Sequence, residues 1–213
     1  MRNNCRPFIW MALLVFVAAV LAILPPSVAS ADELEFDSAS GYRISRYRSP
    51  VEPKVPGGHR IFIEEVDDLI KNGAILVDVL AADGAGLDRE TGYWSIAKPH
   101  ENIPGSTWLP NVGEGHLDAV MENYFKSNLV RLTGGDRSRT LLIYCQADCW
   151  MGWNAVKRAS SYGYTSIYWY ADGIDGWRDF ERPFAKAEPV PVPVTGAGRA
   201  IDDPIPASGA LKP

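Results

Sequence analysis

The sequence predicts a single α/β domain built on a doubly wound, mostly parallel sheet of about five strands. Three observations lead to this fold class. Continuously apolar segments such as 75–79 and 141–145 have the length of strands that are buried on both faces. Segments with apolar residues at helical spacing alternate with them. Turns rich in Asn, Asp and Gly separate the two kinds of segment, and together they place the domain at residues 61–180.

The first half of this domain starts with a helix and continues into a strand. The apolar residues of segment 66–70 have helical spacing, and the pattern ends beside Gly73, which is typical of a helix C-cap. The apolar segment 74–79 follows as the first predicted strand. A long connection rich in Gly and Asp then leads to a turn at 103–106 and a short strand at 107–109.

The second half continues the alternation of helices and strands. Its central strand ends on a cysteine, and the helix before it is stopped by Gly134. The predicted elements are a helix at 117–132, a strand at 141–145, a helix at 151–162, a strand at 166–170 and a short helix at 172–177.

Residues 1–31 have the build of a secretory signal peptide. Arg2 and Arg6 give the start a positive charge, residues 8–24 are uninterruptedly apolar, and small residues follow before Asp32. The alternative is an uncleaved membrane anchor, for which this apolar run is short. We expect export to the periplasm with cleavage, and no membrane attachment afterwards.

The charge and the two flanking segments limit the range of functions. The chain carries a formal net charge of −5, which argues against binding to nucleic acid or to anionic membrane surfaces. Residues 32–60 are polar and turn-rich, and we expect a solvated N-terminal arm there. Residues 181–213 are rich in proline, which predicts a disordered tail.

The most informative segment is the loop that joins the strand ending at Cys145 to the next helix. A helix N-terminus and backbone N–H groups favour negative charge there and lower the pKa of a thiol. Cys149 lies four residues further on, and the two are the only cysteines outside the predicted leader. An oxidising compartment permits a disulfide between them. The pair is either reactive or an inert structural staple.

Four segments of the chain resemble a rhodanese domain. They carry the opening strand and acid, an "IPGA"-like turn, the strand with its cysteine, and the closing "GGIDGW"-like segment, at residues 75–79, 102–106, 142–145 and 162–177. The resemblance implies that Cys145 is a nucleophile that carries sulfur as a persulfide. It also implies that the loop holds the persulfide anion with the backbone N–H groups of Gln146, Ala147, Asp148, Trp150 and Met151.

This loop departs from the rhodanese pattern in its charge. The usual loop carries a cation near its end, and Trp150 stands at about that position. Asp148 adds an acid, which opposes a developing thiolate and repels anionic donors such as thiosulfate. Leu80 replaces the arginine that many rhodaneses have after the opening strand. We therefore expect weak or absent thiosulfate:cyanide sulfurtransferase activity, with Cys145 as nucleophile and Cys149 as the weaker acid and resolving thiol.

A narrower resemblance concerns the two cysteines and the tryptophan that follows them. Segments 104–113 and 145–155 are similar to exported rhodanese-like proteins associated with PQQ-dependent catabolism, known by a CXXCW motif; three residues separate the cysteines here. The resemblance implies a quinoprotein alcohol dehydrogenase or its c-type cytochrome as partner, and a small sulfur or thiol donor as substrate.

Two classes of function follow. Either the cysteine pair performs persulfide or thiol–disulfide chemistry, or the protein is a non-catalytic binding partner with an inert pair. No cofactor is expected on this chain. No metal site is expected either, because His59, His100 and His116 are scattered without companions at ligand spacing.

Overall fold

A computed structural model describes residues 35–82 and 86–194 of the chain. The predicted leader, 1–31, lies outside the described residues, as do residues 195–213. Along the described part, the strands are β1 (His59–Ile61), β2 (Ile75–Asp78), β3 (Gly86–Leu87), β4 (Trp94–Ser95), β5 (His100–Asn102), β6 (Thr107–Trp108), β7 (Leu141–Tyr144), β8 (Ile167–Tyr170) and β9 (Ala185–Ala187). The helices are α1 (Ile63–Lys71), α2 (Ala119–Thr133), α3 (Trp150–Ser161) and α4 (Gly173–Asp179).

The central sheet has five parallel strands in the order β1-β8-β7-β2-β6. The predicted fold class is therefore confirmed. The middle strand, β7, is buried on both faces, and its side chains alternate between two apolar clusters. Leu141 and Ile143 face the cluster that includes α2 and α3, whereas Leu142 and Tyr144 face the cluster that includes α1 and α4. Helices thus cover both faces, which explains why the strands are continuously apolar.

Helix ends follow the expected local signals. Asp118 caps α2 by accepting a hydrogen bond from the Met121 N–H, and Gly134 ends the helix in the left-handed conformation. The C-cap of α1 is Asn72, followed by Gly73 with positive φ. None of the helices in the described ranges is both long enough and apolar enough to cross a membrane.

Residues 35–55 of the predicted arm 32–60, called the N-terminal arm below, are only partly solvated. Its Arg43 is buried, and Phe36, Tyr47 and Val51 pack against the larger apolar cluster. The continuation of the arm contributes β1 to the edge of the central sheet. The expectation failed because a polar, turn-rich segment has no periodic pattern, and its burial depends on partners about a hundred residues away.

The prediction of a disordered tail is wrong for residues 181–194. Strand β9 pairs with β5, Val192 is buried, and the Val190 N–H donates to the Trp108 carbonyl at 3.1 Å. The Val190 carbonyl in turn accepts hydrogen bonds from Trp94 Nε1 and the Tyr124 hydroxyl. Proline prevents a ladder of such bonds but does not prevent single ones, so an extended segment packs here.

Candidate functional site

The cysteine loop, defined here as residues 145–149, lies at the carboxyl end of the central strand. Cys145 directly follows β7, and Cys149 is the N-cap of α3. The two form a disulfide with their Cα atoms 6.2 Å apart, which confirms the predicted pairing. Parallel sheets place their ligands at this edge, because loops from several strands meet there. The loop therefore occupies the position that the sequence indicated.

Both cysteines are nearly inaccessible, at 2% exposure for Cys145 and 3% for Cys149. The three residues between them are more exposed to solvent. Gln146 and Ala147 are half-buried, and Asp148 is exposed with a positive φ of 51°, a conformation that Asp tolerates better than most residues. Access to the sulfur atoms is therefore the first condition for any chemistry at this site.

Helix α4 holds the first half of the loop. The Ile174 N–H donates to the Cys145 carbonyl at 3.0 Å, and Gln146 forms an antiparallel bridge with Gly173. The Ala147 N–H donates to Oδ2 of Asp175 at 3.1 Å. Gly173 has a φ of 53°, and a Cβ there would collide with the Cys145 carbonyl, so this approach requires glycine.

The N-terminal arm holds the second half of the loop. Arg48 forms an antiparallel bridge with Cys149, and the Ser49 N–H donates to the Asp148 carbonyl at 3.1 Å. The Trp150 N–H donates to the Tyr47 carbonyl at 2.9 Å. The two halves of the disulfide are thus held by different parts of the chain.

These contacts correct the expectation that the loop N–H groups are free to hold a persulfide. Two of them, at Ala147 and Trp150, already donate to Asp175 and Tyr47 in the disulfide form. Met151 is buried, and its backbone lies against Gly113, where a Cβ would collide with it. An anion that replaces these acceptors must first displace them.

The Trp150 side chain anchors the arm over the loop. Its Nε1 lies 3.1 Å from both Ser49 Oγ and the Pro50 carbonyl. Arg43 places its guanidinium 4.8 Å from the Trp150 ring and 5.1 Å from the Phe36 ring, within the range of cation–π attraction. The sequence suggested no role for Arg43, whose guanidinium lies over the ring of Trp150, the residue at the position of the usual cation.

The charge of Arg43 is already paired. Glu35 forms an ion pair with it, and both side chains are largely buried. The Arg43 backbone is bracketed by Asn154, whose Oδ1 accepts from the Arg43 N–H at 3.0 Å and whose Nδ2 donates to its carbonyl at 2.8 Å. Because of these bonds the arm is specifically attached to α3, the helix that begins at the disulfide.

A second buried polar group lies at the end of the neighbouring strand β2. Asp78 is fully buried, and its Oδ2 is 2.7 Å from Nε2 of His100. Burial raises the pKa of Asp78, and the hydrogen bond with His100 opposes that rise. The His100 ring packs at a tilt against the Trp108 ring, with the two centroids 4.3 Å apart. His100 is therefore an internal partner of Asp78, which scattered histidines in a sequence do not reveal.

Comparison with known proteins agrees with this architecture. Residues 62–180, more than half of the chain, match the family described as "Rhodanese-like domain". No curated protein matches the sequence.

Several solved structures are partly similar to this chain. A complex of EanB with hercynine has a TM-score of 0.40 and 24% identity over 62% of this chain, which spans only 32% of EanB. A full-length Lactobacillus plantarum protein has a TM-score of 0.40 and 17% identity over 60% of this chain and 87% of its own. The polysulfide-sulfur transferase homodimer from Wolinella succinogenes has a TM-score of 0.38 and 15% identity over 61% and 79%. The matched residues 62–180 include the cysteine loop and four of the five strands of the central sheet, all except β1, and the chain belongs to the rhodanese-like domain family.

Proposed function

We propose that this protein is an exported rhodanese-like accessory of PQQ-dependent alcohol oxidation, and that its Cys145–Cys149 pair exchanges sulfur or thiols. The observation that carries the proposal is the disulfide itself, which joins the end of β7 to the N-cap of α3. A disulfide between residues four apart closes a short loop and adds little stability through chain entropy. Its position at the ligand-binding edge of the sheet therefore favours a chemical role.

In this exchange, the incoming thiol attacks the sulfur of Cys145. The thiolate of an incoming small thiol forms a bond to Cys145 Sγ, the disulfide bond breaks, and its electron pair leaves on Cys149 Sγ. Cys149 lies at the N-cap of a helix, where a thiolate is stabilised. We therefore take it as the leaving group, which reverses the expectation from the sequence that Cys149 is the weaker acid. Return attack by Cys149 expels the thiol and restores the disulfide.

Persulfide chemistry is possible at the same site with the Cys145–Cys149 disulfide itself as the two-electron oxidant. When hydrosulfide is the attacking anion, its sulfur becomes the outer sulfur of a persulfide on Cys145, and Cys149 becomes a thiol after taking one proton. Attack of the Cys149 thiolate on the inner sulfur releases hydrosulfide again. This route accounts for a rhodanese-like scaffold with a second cysteine in its loop.

The experiment that tests this proposal is a redox titration of the exported protein. The protein is equilibrated with a series of reduced and oxidised glutathione ratios, the thiols are trapped with an alkylating agent, and intact mass is measured. We expect a reversible transition between the disulfide and dithiol forms. A pair that stays fully oxidised, or that is found as two free thiols in protein taken from the periplasm without reductant, would contradict the proposal.

The second candidate is a non-catalytic binding partner with an inert pair. The burial of both cysteines favours it, because a staple needs no access. Calorimetric titration with a quinoprotein alcohol dehydrogenase, and separately with its c-type cytochrome, tests this role. Equal binding by the wild-type protein and by the Cys145→Ser, Cys149→Ser double variant supports the non-catalytic role.

Export and the site of cleavage are tested separately. The proposal expects the protein in the periplasmic fraction with a mature N-terminus at about residue 32, as measured by mass spectrometry. A membrane-bound protein that retains residues 1–31 would favour the anchor instead.

A further inference from the structure

The carboxylate of Asp175 is built into the cysteine loop. Its Oδ2 accepts the Ala147 N–H at 3.1 Å, and its Oδ1 lies 3.2 Å from an Nη of Arg178. The Asp175 side chain is about one-third exposed, at 37%. An acid is thus held beside the residues that immediately follow Cys145.

The position of this carboxylate is determined by the backbone on both sides of it. Gly173 bridges Gln146, and the Ile174 N–H donates to the Cys145 carbonyl. Because the segments 145–147 and 173–175 run side by side, the backbone holds the Asp175 side chain next to the Ala147 N–H. The contact is therefore part of the fold of the loop.

Three effects of Asp175 disfavour a thiolate on Cys145. The Ala147 N–H, which otherwise can turn toward an anionic sulfur, is occupied. The carboxylate places a negative charge near Cys145, which raises the pKa of a thiol. Arg178, a cation on the same helix, is paired with Asp175 and not with sulfur.

The surroundings of Cys149 differ. Cys149 is at the N-cap of α3. Its backbone forms an antiparallel bridge with the backbone of Arg48, an exposed residue. Asp148 is an exposed acid next to it, so the charge on this side is mixed. Arg43 contributes little net charge because Glu35 is its partner. The helix N-terminus therefore distinguishes Cys149 from Cys145 as the better site for a thiolate.

We propose that Asp175 is a positioning residue that makes Cys149 the leaving thiolate and directs the incoming sulfur to Cys145. The inference rests on the proposed exchange function and adds the residue that gives the exchange its direction. In the step itself, the new bond forms at Cys145 Sγ, the disulfide bond breaks, and the electron pair goes to Cys149 Sγ, which then takes a proton from solvent. Asp175 does not touch the incoming thiol.

The test compares Asp175→Asn with Asp179→Asn. The asparagine still accepts the Ala147 hydrogen bond but lacks the charge, and Asp179 is an exposed acid on the same helix that serves as the matched control. Disulfide stability is measured as the equilibrium constant with glutathione. At a pH at which Cys145 is ionised in both proteins, we expect Asp175→Asn to favour the dithiol by roughly tenfold, because a fall of about one unit in the pKa of Cys145 corresponds to that factor there. An equal change in both variants, or none in Asp175→Asn, overturns the proposal.

A second variant shifts the same equilibrium in the opposite direction. Arg178→Gln removes the cation that neutralises Asp175, so we expect it to favour the disulfide. A shift in the same direction as Asp175→Asn would mean that α4 acts only through loop stability, and would overturn the proposal.

A third measurement does not depend on the disulfide. In the Cys149→Ser background, the thiolate absorbance of Cys145 is followed with pH. Asp175→Asn should lower the pKa of Cys145, and Asp179→Asn should leave it unchanged; an unchanged pKa in Asp175→Asn overturns the proposal. If this pKa shifts while the wild-type pair resists glutathione, the proposed exchange fails and the role of Asp175 stands.

Discussion

Arg48 forms an antiparallel backbone bridge with Cys149, so a segment that precedes the central sheet is joined directly to one sulfur-bearing residue of the disulfide. Two backbone hydrogen bonds lie on either side of this bridge. The Ser49 N–H donates to the Asp148 carbonyl at 3.1 Å, and the Trp150 N–H donates to the Tyr47 carbonyl at 2.9 Å. The arm therefore lies over the half of the loop that includes Cys149. Access to the disulfide and the difference between its two cysteines depend on this arrangement.

The first prediction concerns the attachment of the arm. Arg43→Met removes a buried ion pair and the cation–π contacts with Phe36 and Trp150, and leaves Glu35 paired with the exposed Arg46. Loss of such charged contacts costs about 2 kcal/mol, which should increase the rate of disulfide reduction by a small thiol roughly tenfold or more if arm opening limits access. The rate is measured with dithiothreitol at several concentrations.

Arg46→Met is the matched control for this measurement. Arg46 also pairs with Glu35, but its side chain is 72% exposed, so its loss should change the rate little. Equal rates for wild-type protein and Arg43→Met would show that the arm does not control access.

The second prediction concerns sulfur donors. The loop lacks the usual cation, and the N–H groups of Ala147 and Trp150 have acceptors of their own. The purified protein should therefore have little or no thiosulfate:cyanide sulfurtransferase activity, measured as thiocyanate formation. Turnover comparable to that of an ordinary rhodanese, and abolished by Cys145→Ser, would show this prediction to be wrong.

The third prediction assigns different roles to the two cysteines. Cys149 lies under the bridge with Arg48, whereas Cys145 is followed by the half-buried Gln146 and Ala147. Wild-type protein that is treated with reduced glutathione and quenched in acid should therefore carry the mixed disulfide on Cys145, with Cys149 as the free thiol. Peptide mapping by mass spectrometry locates the adduct, and similar amounts on both cysteines would contradict the assignment.

The fourth prediction concerns the pH dependence of stability through Asp78. Burial raises the pKa of this carboxyl in the folded state, so its contribution is greatest below the ordinary Asp pKa of 3.8 and is lost as the pH rises through the raised value. Asp78→Asn keeps an oxygen that accepts the Leu80 N–H and places an amide N–H donor toward Nε2 of His100, but it has no charge. Urea unfolding at several pH values should show a flatter profile for this variant above the ordinary pKa. An unchanged slope would contradict the prediction.

The fifth prediction concerns the approach of α4 to the loop. Gly173→Ala introduces a Cβ against the Cys145 carbonyl at a positive φ, which should lower the free energy of unfolding by about 2–3 kcal/mol. Gly73 also has a positive φ, but nothing lies within 4 Å of a Cβ added there. Gly73→Ala should therefore lower the free energy of unfolding by about 1 kcal/mol. Thermal or urea unfolding measures both, and equal losses would mean that contact with the loop does not matter.

Much of the fold was predictable because its elements are encoded by local patterns. Strands β2 and β7 are continuously apolar, and α2 has caps at both ends in the sequence. The short strands β1 and β9 were missed, since three half-exposed residues contain no alternation that distinguishes them from a loop. Their pairing is a property of the edges they meet.

The sequence by itself determined the fold class, the family resemblance and the disulfide between Cys145 and Cys149, because each depends on residues close together in the chain or on a regular period. Tertiary structure alone decided what surrounds that disulfide. Arg43 and Asn154 meet across 111 positions, and Ala147 and Asp175 across 28. A polar residue can satisfy its hydrogen bonds with water or with many partners, so its pattern in the sequence does not specify which one the folded chain brings to it.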